Sequence, residues 1–431
     1  MKISPARTAA FDILHRIETE RAFSAVLLPI YEEPLSDADA SLCHELVLGT
    51  LRTQVFLDRT IDLLSNNKKI DLEVLLALRL ALYQLKFLDK IPDYSVLNES
   101  VNLVQRARKT SAKGFVNAVL RRAARESITL SHTDDIERLS VETSHPRWLV
   151  EKWIAALGKA ETSRLAHANN QRPKIPFRVL VPATEEALAL AGSSLRSEFV
   201  DGCYLADKSG RSMVRLAAEG EIYIQDEASQ LVARSVMLSE NARFLDVCAA
   251  PGGKTGLIAG RASEGTTLIA AGDRYWPRVS FLRDNCRRQG VDFVEVIQYD
   301  AEVGLPFAEG AFDSILVDAP CSGTGTIRNN PELRYLLSES DLSELSRKQL
   351  AILTNASKLV NVGGTLVYST CSLEVEENED VCRQFLLDEP GFQSAPPDVP
   401  AELLTDRGFA RTWPQRHGMD GFFIAKFRRR S

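Results

Sequence analysis

The feature that most constrains this chain is a change of period at Gln225. Beyond it, short apolar and β-branched runs alternate with helical stretches, a pattern that favours a parallel sheet covered on both faces. Strands are expected at Phe244–Val247, Thr267–Gly272, Val294–Tyr299, Ser314–Val317 and Thr365–Ser369. Helices are expected over Tyr275–Arg288 and Asp341–Val360, the latter stopped by Gly363-Gly364. Phe422–Phe427 predicts a final strand, and the proline-rich stretch Pro390–Thr405 an exposed insertion. Before Gln225 the period is different. From Pro5 to about Glu142 apolar residues recur at i, i+3 and i+4, which predicts an all-α domain. Pro146–Ala168 places Trp148, Trp153, Ile154 and Leu157 at helical spacing and runs into a polar hinge, Asn169–Pro173. A strand from Phe177 to Leu180, a helix over Glu185–Leu195 and short strands to Ile224 make a small α+β module. With 431 residues, more than one core normally holds, the chain is read as three parts: 1–145 helical, 146–225 connector and small module, 226–431 α/β.

Apolar residues at 45% and charged residues at 26% are ordinary values for a globular protein. The net charge of −6 carries no global basic excess, so a nucleic-acid surface has to be local. Met1–Arg16 lacks an apolar signal core, and the most apolar stretch, Leu72–Leu88, is interrupted by Glu73, Arg79, Gln84 and Lys86. A cytoplasmic protein without a membrane segment is therefore expected. The seven cysteines form no CxxC pair, which argues against both a disulfide framework and a structural zinc site, and no metal is expected.

The densest signal is Phe244-Leu245-Asp246-Val247-Cys248-Ala249-Ala250-Pro251-Gly252-Gly253-Lys254-Thr255, a strand entering a glycine turn and then a helix. Backbone without side chains approaches a ligand closely there, and the helix start offers free N–H donors. A phosphate-binding P-loop is excluded by spacing, because its first glycine would fall on Cys248. A nucleoside crevice instead needs a carboxylate after the second strand. Asp273 stands there, Asp300 closes the third strand and Asp318 the fourth. A single strand-end aspartate is usually a cap or turn residue; three in register beside a glycine loop mark a ligand edge.

Two cysteines follow successive strands at that edge, Cys321 in Asp318-Ala319-Pro320-Cys321-Ser322-Gly323-Thr324-Gly325 and Cys371 in Tyr368-Ser369-Thr370-Cys371-Ser372. Burial gives no reason to put thiols in polar turns. By contrast Cys43, Cys203, Cys286 and Cys382 read as small buried hydrophobes. A thiolate is a nucleophile that can add reversibly to an electron-poor ring carbon and leave again afterwards. Asp318 is placed to hold the polar edge of such a ring. His417, in Arg416-His417-Gly418, reads as a structural or surface residue, with a place in the pocket lining as the alternative.

No acidic residue lies between Glu99 and Glu126, while Arg106, Arg108, Lys109, Lys113, Arg121, Arg122 and Arg125 are basic; such a run without counter-charges favours phosphate binding. In the helix after Gly114, Phe115, Val116, Val119 and Leu120 take one face and Arg121, Arg122 and Arg125 the other. Lys426, Arg428, Arg429 and Arg430 read as a frayed basic tail.

The glycine loop and its three aspartates resemble the class I S-adenosylmethionine-dependent methyltransferases, a Rossmann-like fold. That resemblance implies that Cys248, Ala249, Ala250, Pro251, Gly252, Gly253 and Lys254 hold the methionine and sugar side of the cofactor, Asp273 the ribose and Asp300 the adenine edge, with Asp318 both a cofactor-binding and a catalytic residue. CAAPGGKT, DAPCSGTG and YSTCS, in this order, are similar to the RNA 5-methylcytosine methyltransferases. There the nucleophile corresponds to Cys371, and Cys321 to the thiol that resolves the adduct; DNA cytosine methyltransferases use a Pro-Cys cysteine, so Cys321 is the alternative nucleophile. Ala6–Arg125, with Leu48-Gly49-Thr50-Leu51-Arg52 and Gly114–Arg122, resembles the NusB-type RNA-binding domain. The combination is similar to the bacterial 16S ribosomal RNA cytosine methyltransferases of the Sun/Fmu type, which implies 16S RNA as the substrate, free or in a small-subunit assembly intermediate; a monomer is expected, though nothing in the sequence itself speaks to oligomeric state. A transfer-RNA cytosine methyltransferase and a non-catalytic ribosome-assembly factor are the alternatives. Tyr275-Trp276-Pro277 depart from the family pattern, so the adenine wall is expected to differ.

Overall fold

The computed structural model describes residues 3–208, 210–262 and 268–430, so the expected start of the second strand, Thr267, lies outside the described residues. The chain divides into two compact units, residues 1–171 with 329–337, and residues 172–328 with 338–431.

The first unit is helical. Helices Pro5–Glu20, Ser24–Glu32, Asp37–Arg52, Gln54–Ser65, Leu72–Phe87, Asp93–Arg106 and Lys113–Arg125 share one core. Local chemistry sets their ends: Pro5 opens the first, and the Ser36 hydroxyl accepts the Asp39 N–H to cap the third. Leu72–Phe87 runs through the middle with Leu76, Ala77, Leu78 and Leu80 buried. Its interrupting Arg79 is buried too, forked onto the Asp58 carboxylate at 2.7 and 2.8 Å and joined to Glu18. Asp135–Thr143, Arg147–Leu157 and Lys159–Ala168 complete this unit, so the helices read as a connector pack with the helical part.

Residues 329–337 return to the first unit from far along the chain. Arg334 is fully buried there; its guanidinium donates to the carbonyls of Arg52, Thr143, Ser144 and Asn169 and to Asn170 Oδ1. Three helices end at these carbonyls, and a cation suits the negative ends of their dipoles.

The basic run of this unit corrects the expectation of a stretch without counter-charges. Arg106 forks onto Asp12 at 2.7 and 2.8 Å, Lys109 bonds Asp71 at 2.8 Å, and Arg122 pairs with Glu126. The partners lie outside the window in sequence, which is why composition missed them. Among the described residues, Arg108, Lys113, Arg121 and Arg125 make no ion pair.

The second unit contains two sheets. The smaller has antiparallel strands in the order Leu195–Arg196, Cys203–Ala206, Ile175–Val179, Ile222–Ile224, with helices Glu185–Ser193 and Arg211–Glu219 covering a core of Phe177, Ala187, Met213, Leu216 and Ile222. This is the β-α-β-β-α-β arrangement of a ferredoxin-like fold. The helix stops at Ser193 because Leu195 already pairs with Leu205.

In the larger sheet five parallel strands run in the order Val360–Thr370, Phe312–Asp318, Arg243–Asp246, Leu268–Asp273, Glu295–Gln298. The chain builds outward from Arg243–Asp246 in one direction and then crosses to the other side through Phe312–Asp318. The crevice between those two strands is therefore the topological switch point, where ligands bind in such sheets. Phe423–Arg429 and Phe392–Ala395 add antiparallel strands at the Val360–Thr370 edge.

Three sequence expectations are corrected here. Gly363-Gly364 do not stop a helix: Glu339–Ser357 ends earlier, and the glycines lie inside the Val360–Thr370 strand, with Gly363 at φ +83° where the register to Phe312–Asp318 slips. Pro390–Thr405 is not wholly an exposed insertion, since Phe392–Ala395 is the edge strand and Leu403 is buried. Lys426, Arg428 and Arg429 are not a frayed tail but part of the last strand, with Lys426 paired to Asp398 at 2.6 Å. Among the described residues, no helix is long and apolar enough to cross a membrane.

Candidate active site

The glycine loop leaves the Arg243–Asp246 strand and is stitched to its neighbours by Val247 N–H on Leu316 O at 2.9 Å and Ala249 N–H on Gly272 O at 2.8 Å. Gly252, at φ +102°, turns the chain into the helix Gly253–Ala259. A Cβ there would meet Leu282 at 2.8 Å, and one at Gly253 would meet the Tyr223 ring at 2.9 Å. The run Gly-Gly is thus required by both backbone angle and close packing.

Asp246, which the sequence reading did not single out, is a second buried carboxylate of this edge beside Asp273. Its Oδ2 accepts the Thr255 hydroxyl at 2.7 Å, while Oδ1 is buried and has no hydrogen-bond partner among the described residues. Burial above all, then Asp318 and Asp273 against the opposing Thr255 and Lys254, raises this carboxyl to about 7. The available signal was its place as the last residue of the strand before the glycine turn.

The predicted carboxylates converge on the same edge. Asp273 ends its strand and faces Arg278 Nη2 at 3.3 Å, and Arg278 also donates to Ala250 O at 2.8 Å. Asp300 lies two residues past Gln298, where its strand ends, and pairs with Arg274 Nε at 3.0 Å. Tyr275 and Trp276 stand exposed beside them. Asp318 ends its strand with Oδ1 accepting from Ser369 Oγ at 2.7 Å and Oδ2 paired with Lys254 Nζ at 2.6 Å. Lys254 also lies over the Phe422 ring. Burial works against its ammonium, but Asp318, Cys371 and Asp246 outweigh that and hold its pKa above the ordinary value.

The two turn cysteines meet: Cys321 Sγ and Cys371 Sγ are 3.2 Å apart. Their loops are interlocked, with Gly325 N–H on Cys371 O at 2.9 Å and Gly421 N–H on Gly325 O at 2.8 Å. The Cys321 thiol is pushed well above its usual range by its hydrogen bond to Cys371, by burial, and by the nearby charges of Cys371 and Glu377. Cys248, in the glycine loop, is likewise raised by burial. Cys43, Cys203, Cys286 and Cys382 are buried, and burial drives all four thiols up. His417 accepts the Trp413 N–H at 3.0 Å and packs edge-on to Phe199, a local brace.

A doubly wound sheet with a glycine loop and strand-end carboxylates at its switch point defines a class I methyltransferase fold, and two thiols face each other at the same edge. Residues 233–428 match the family described as 16S rRNA methyltransferase RsmB/F, residues 4–125 the NusB family, and residues 145–187 the RsmF/B-like ferredoxin-like domain. The chain is 34% identical to the probable ribosomal RNA small subunit methyltransferase B of Bacillus subtilis, covering 100% of both chains. It is also 34% identical to ribosomal RNA small subunit methyltransferase B of Pseudomonas putida, covering 95% of this chain and 97% of that one. Among solved structures, that of PH0851 superposes with a TM-score of 0.84 at 26% identity, covering 99% of each chain. NSun6 from Pyrococcus horikoshii shares the fold, with a TM-score of 0.58 at 21% identity over 66% of this chain and 98% of that one. The chain belongs to the RsmB/F family of 16S ribosomal RNA methyltransferases. Such enzymes take their methyl group from S-adenosylmethionine, and the glycine loop with the unpartnered Asp246 Oδ1, an acceptor suited to the ammonium of a methionine, fits that donor.

Proposed function

We propose that this protein methylates carbon 5 of one cytosine in 16S ribosomal RNA through a covalent adduct between Cys371 and carbon 6 of the base. The 3.2 Å approach of Cys371 to Cys321 beside the Lys254–Asp318 pair carries this reading, because two thiols at the ligand edge serve addition and release in turn.

Asp246, Asp273 and Asp300 hold the methionine ammonium, the ribose and the adenine edge, with Cys248 to Lys254 as the backbone cradle. S-adenosylmethionine, when bound, supplies an electrophilic methyl sulfonium. The cytosine is unstacked into the crevice between the α/β sheet and the ferredoxin-like module of the same unit. The Cys371 thiolate forms a bond to carbon 6 and pushes an electron pair onto carbon 5. Asp318 holds the pyrimidine's ring nitrogen and amino edge while that charge develops. Once carbon 5 is methylated, a water molecule takes its proton, the pair left behind re-forms the bond between carbons 5 and 6, and the carbon–sulfur bond breaks with its electrons returning to Cys371; the neutral Cys321 thiol, 3.2 Å away, donates a hydrogen bond to that departing sulfur. In the helical unit Arg108, Lys113, Arg121 and Arg125 bind phosphates. The enzyme works as a cytoplasmic monomer.

Trapping tests the mechanism. Cys321→Ala is expected to accumulate an RNA–protein adduct that survives denaturing electrophoresis, and Cys371→Ala to form none and to lose turnover. Full turnover by Cys371→Ala would sink the covalent assignment.

A further inference from the structure

Glu377 takes no part in the steps above, yet it sits where the two cysteine turns meet. It lies on the short turn Val375–Glu377 and is fully buried. Oε1 accepts the Ser322 N–H at 2.8 Å and Gln349 Nε2 at 2.9 Å; Oε2 accepts the hydroxyls of Ser322 and Ser372. Ser322 directly follows Cys321 and Ser372 directly follows Cys371. The two hydroxyls also touch each other at 3.0 Å, and Gln349 reaches on to the Pro320 carbonyl at 2.9 Å. One carboxylate therefore binds both turns.

None of these partners is a cation. Burying an unpaired carboxylate costs several kcal/mol, and a neutral glutamine could accept the same N–H and one hydroxyl. Two acceptor oxygens on one side chain are what let Glu377 serve both turns at once. We propose that Glu377 is a positioning residue whose carboxylate clamps the Cys321 turn to the Cys371 turn and whose charge sets the two thiols to different tasks. This rests on the two-cysteine mechanism above.

The surroundings of the thiols support the division. Glu377 adds to the influences that hold Cys321 as a neutral thiol, and Cys371 is among those that hold the Lys254 ammonium charged. Ionisable groups packed here include the Asp318 carboxylate, itself bound to Lys254, the Tyr368 hydroxyl, which donates to the Glu377 carbonyl at 2.6 Å, the buried Glu374, and the Glu379–Arg411 pair at 2.6 Å. Asn378 braces the same turn, donating to the Ser372 carbonyl at 2.8 Å and accepting the Thr370 hydroxyl.

The test compares the full chain with Glu377→Gln and Glu377→Asp. Iodoacetamide labelling of each cysteine is followed by peptide mass spectrometry from about pH 6 to about pH 10, the range in which thiols ionise. Methyl transfer to small-subunit ribosomal RNA is measured alongside, with thermal melting as a control for folding. For Glu377→Gln, Cys321 is expected to label at lower pH than in the wild type. Its kcat is expected to fall on the order of a hundredfold with both KM values unchanged. Glu377→Asp, which keeps the charge but shortens the reach, is expected to retain the wild-type labelling profile and still lose kcat. An unchanged Cys321 profile in Glu377→Gln, or wild-type kcat in both variants, would overturn the proposal. Labelling needs no RNA, so it decides on Glu377 even if Cys371→Ala kept full turnover and removed the covalent mechanism.

Discussion

Replacing Asp246 with asparagine separates the cofactor site from the rest of the fold. The buried carboxyl ionises at about 7 in the folded protein against an ordinary 3.8, chiefly through burial. At about 1.4 kcal/mol per pH unit, that difference sets ~4 kcal/mol. The sign follows from proton uptake. Between pH 3.8 and about 7 the folded chain holds a proton that the unfolded chain has lost, so this residue's contribution to stability falls as pH rises and levels off above about 7. Asparagine never ionises and escapes the cost, so the free variant is expected to melt several degrees higher than the wild type at about pH 8. Ligand binding has the opposite sense. A methionine ammonium on Oδ1 favours the ionised carboxylate, so wild-type affinity for S-adenosylmethionine should drop by about tenfold per pH unit below about 7. Titration calorimetry at several pH values reads this directly. Asp246→Asn should bind weakly and without that pH slope. Wild-type affinity in the variant, with the slope intact, would refute both the ligand role and the titration argument.

Arg334→Ala leaves the carbonyl ends of three helices without their shared donor, and the helical unit is expected to lose roughly 3 kcal/mol or more, seen as an earlier melting transition. Gly325→Ala puts a Cβ 1.9 Å from the Gly421 carbonyl oxygen. The Cys321 loop must then shift, which should destabilise the protein by about 1–3 kcal/mol and cut methyl transfer by about a hundredfold, measured by melting and by kcat. Arg121→Ala with Arg125→Ala should weaken RNA binding and lower the slope of log affinity against log salt by roughly 1 to 2, read from filter binding at several salt concentrations.

What the sequence disclosed follows from which interactions are local. The strand–glycine–helix signature and the strand-end positions of Asp273 and Asp318 are set by neighbouring residues, and they were legible. So was the pairing of two cysteines with one edge, since parallel strands deliver their C-terminal turns to the same side. Asp246 was passed over because a strand-final acid looks ordinary until its unpartnered oxygen is seen. Glu377 stands in a run of acids, Glu374, Glu376, Glu377 and Glu379, and only tertiary packing distinguishes the one that reaches Ser322 and Ser372. The basic run looked unpaired because Asp12 and Asp71 are remote in sequence. Gly363-Gly364 resembled a helix stop because a bulge and a C-cap ask for the same positive φ.

The most direct test is transfer of labelled methyl from S-adenosylmethionine to purified small-subunit ribosomal RNA by the full chain, with bisulfite mapping of the product. A single 5-methylcytosine in that RNA, absent with Cys371→Ala, is the predicted result. Methylation at another atom, or transfer to transfer RNA and none to small-subunit RNA, would contradict the account.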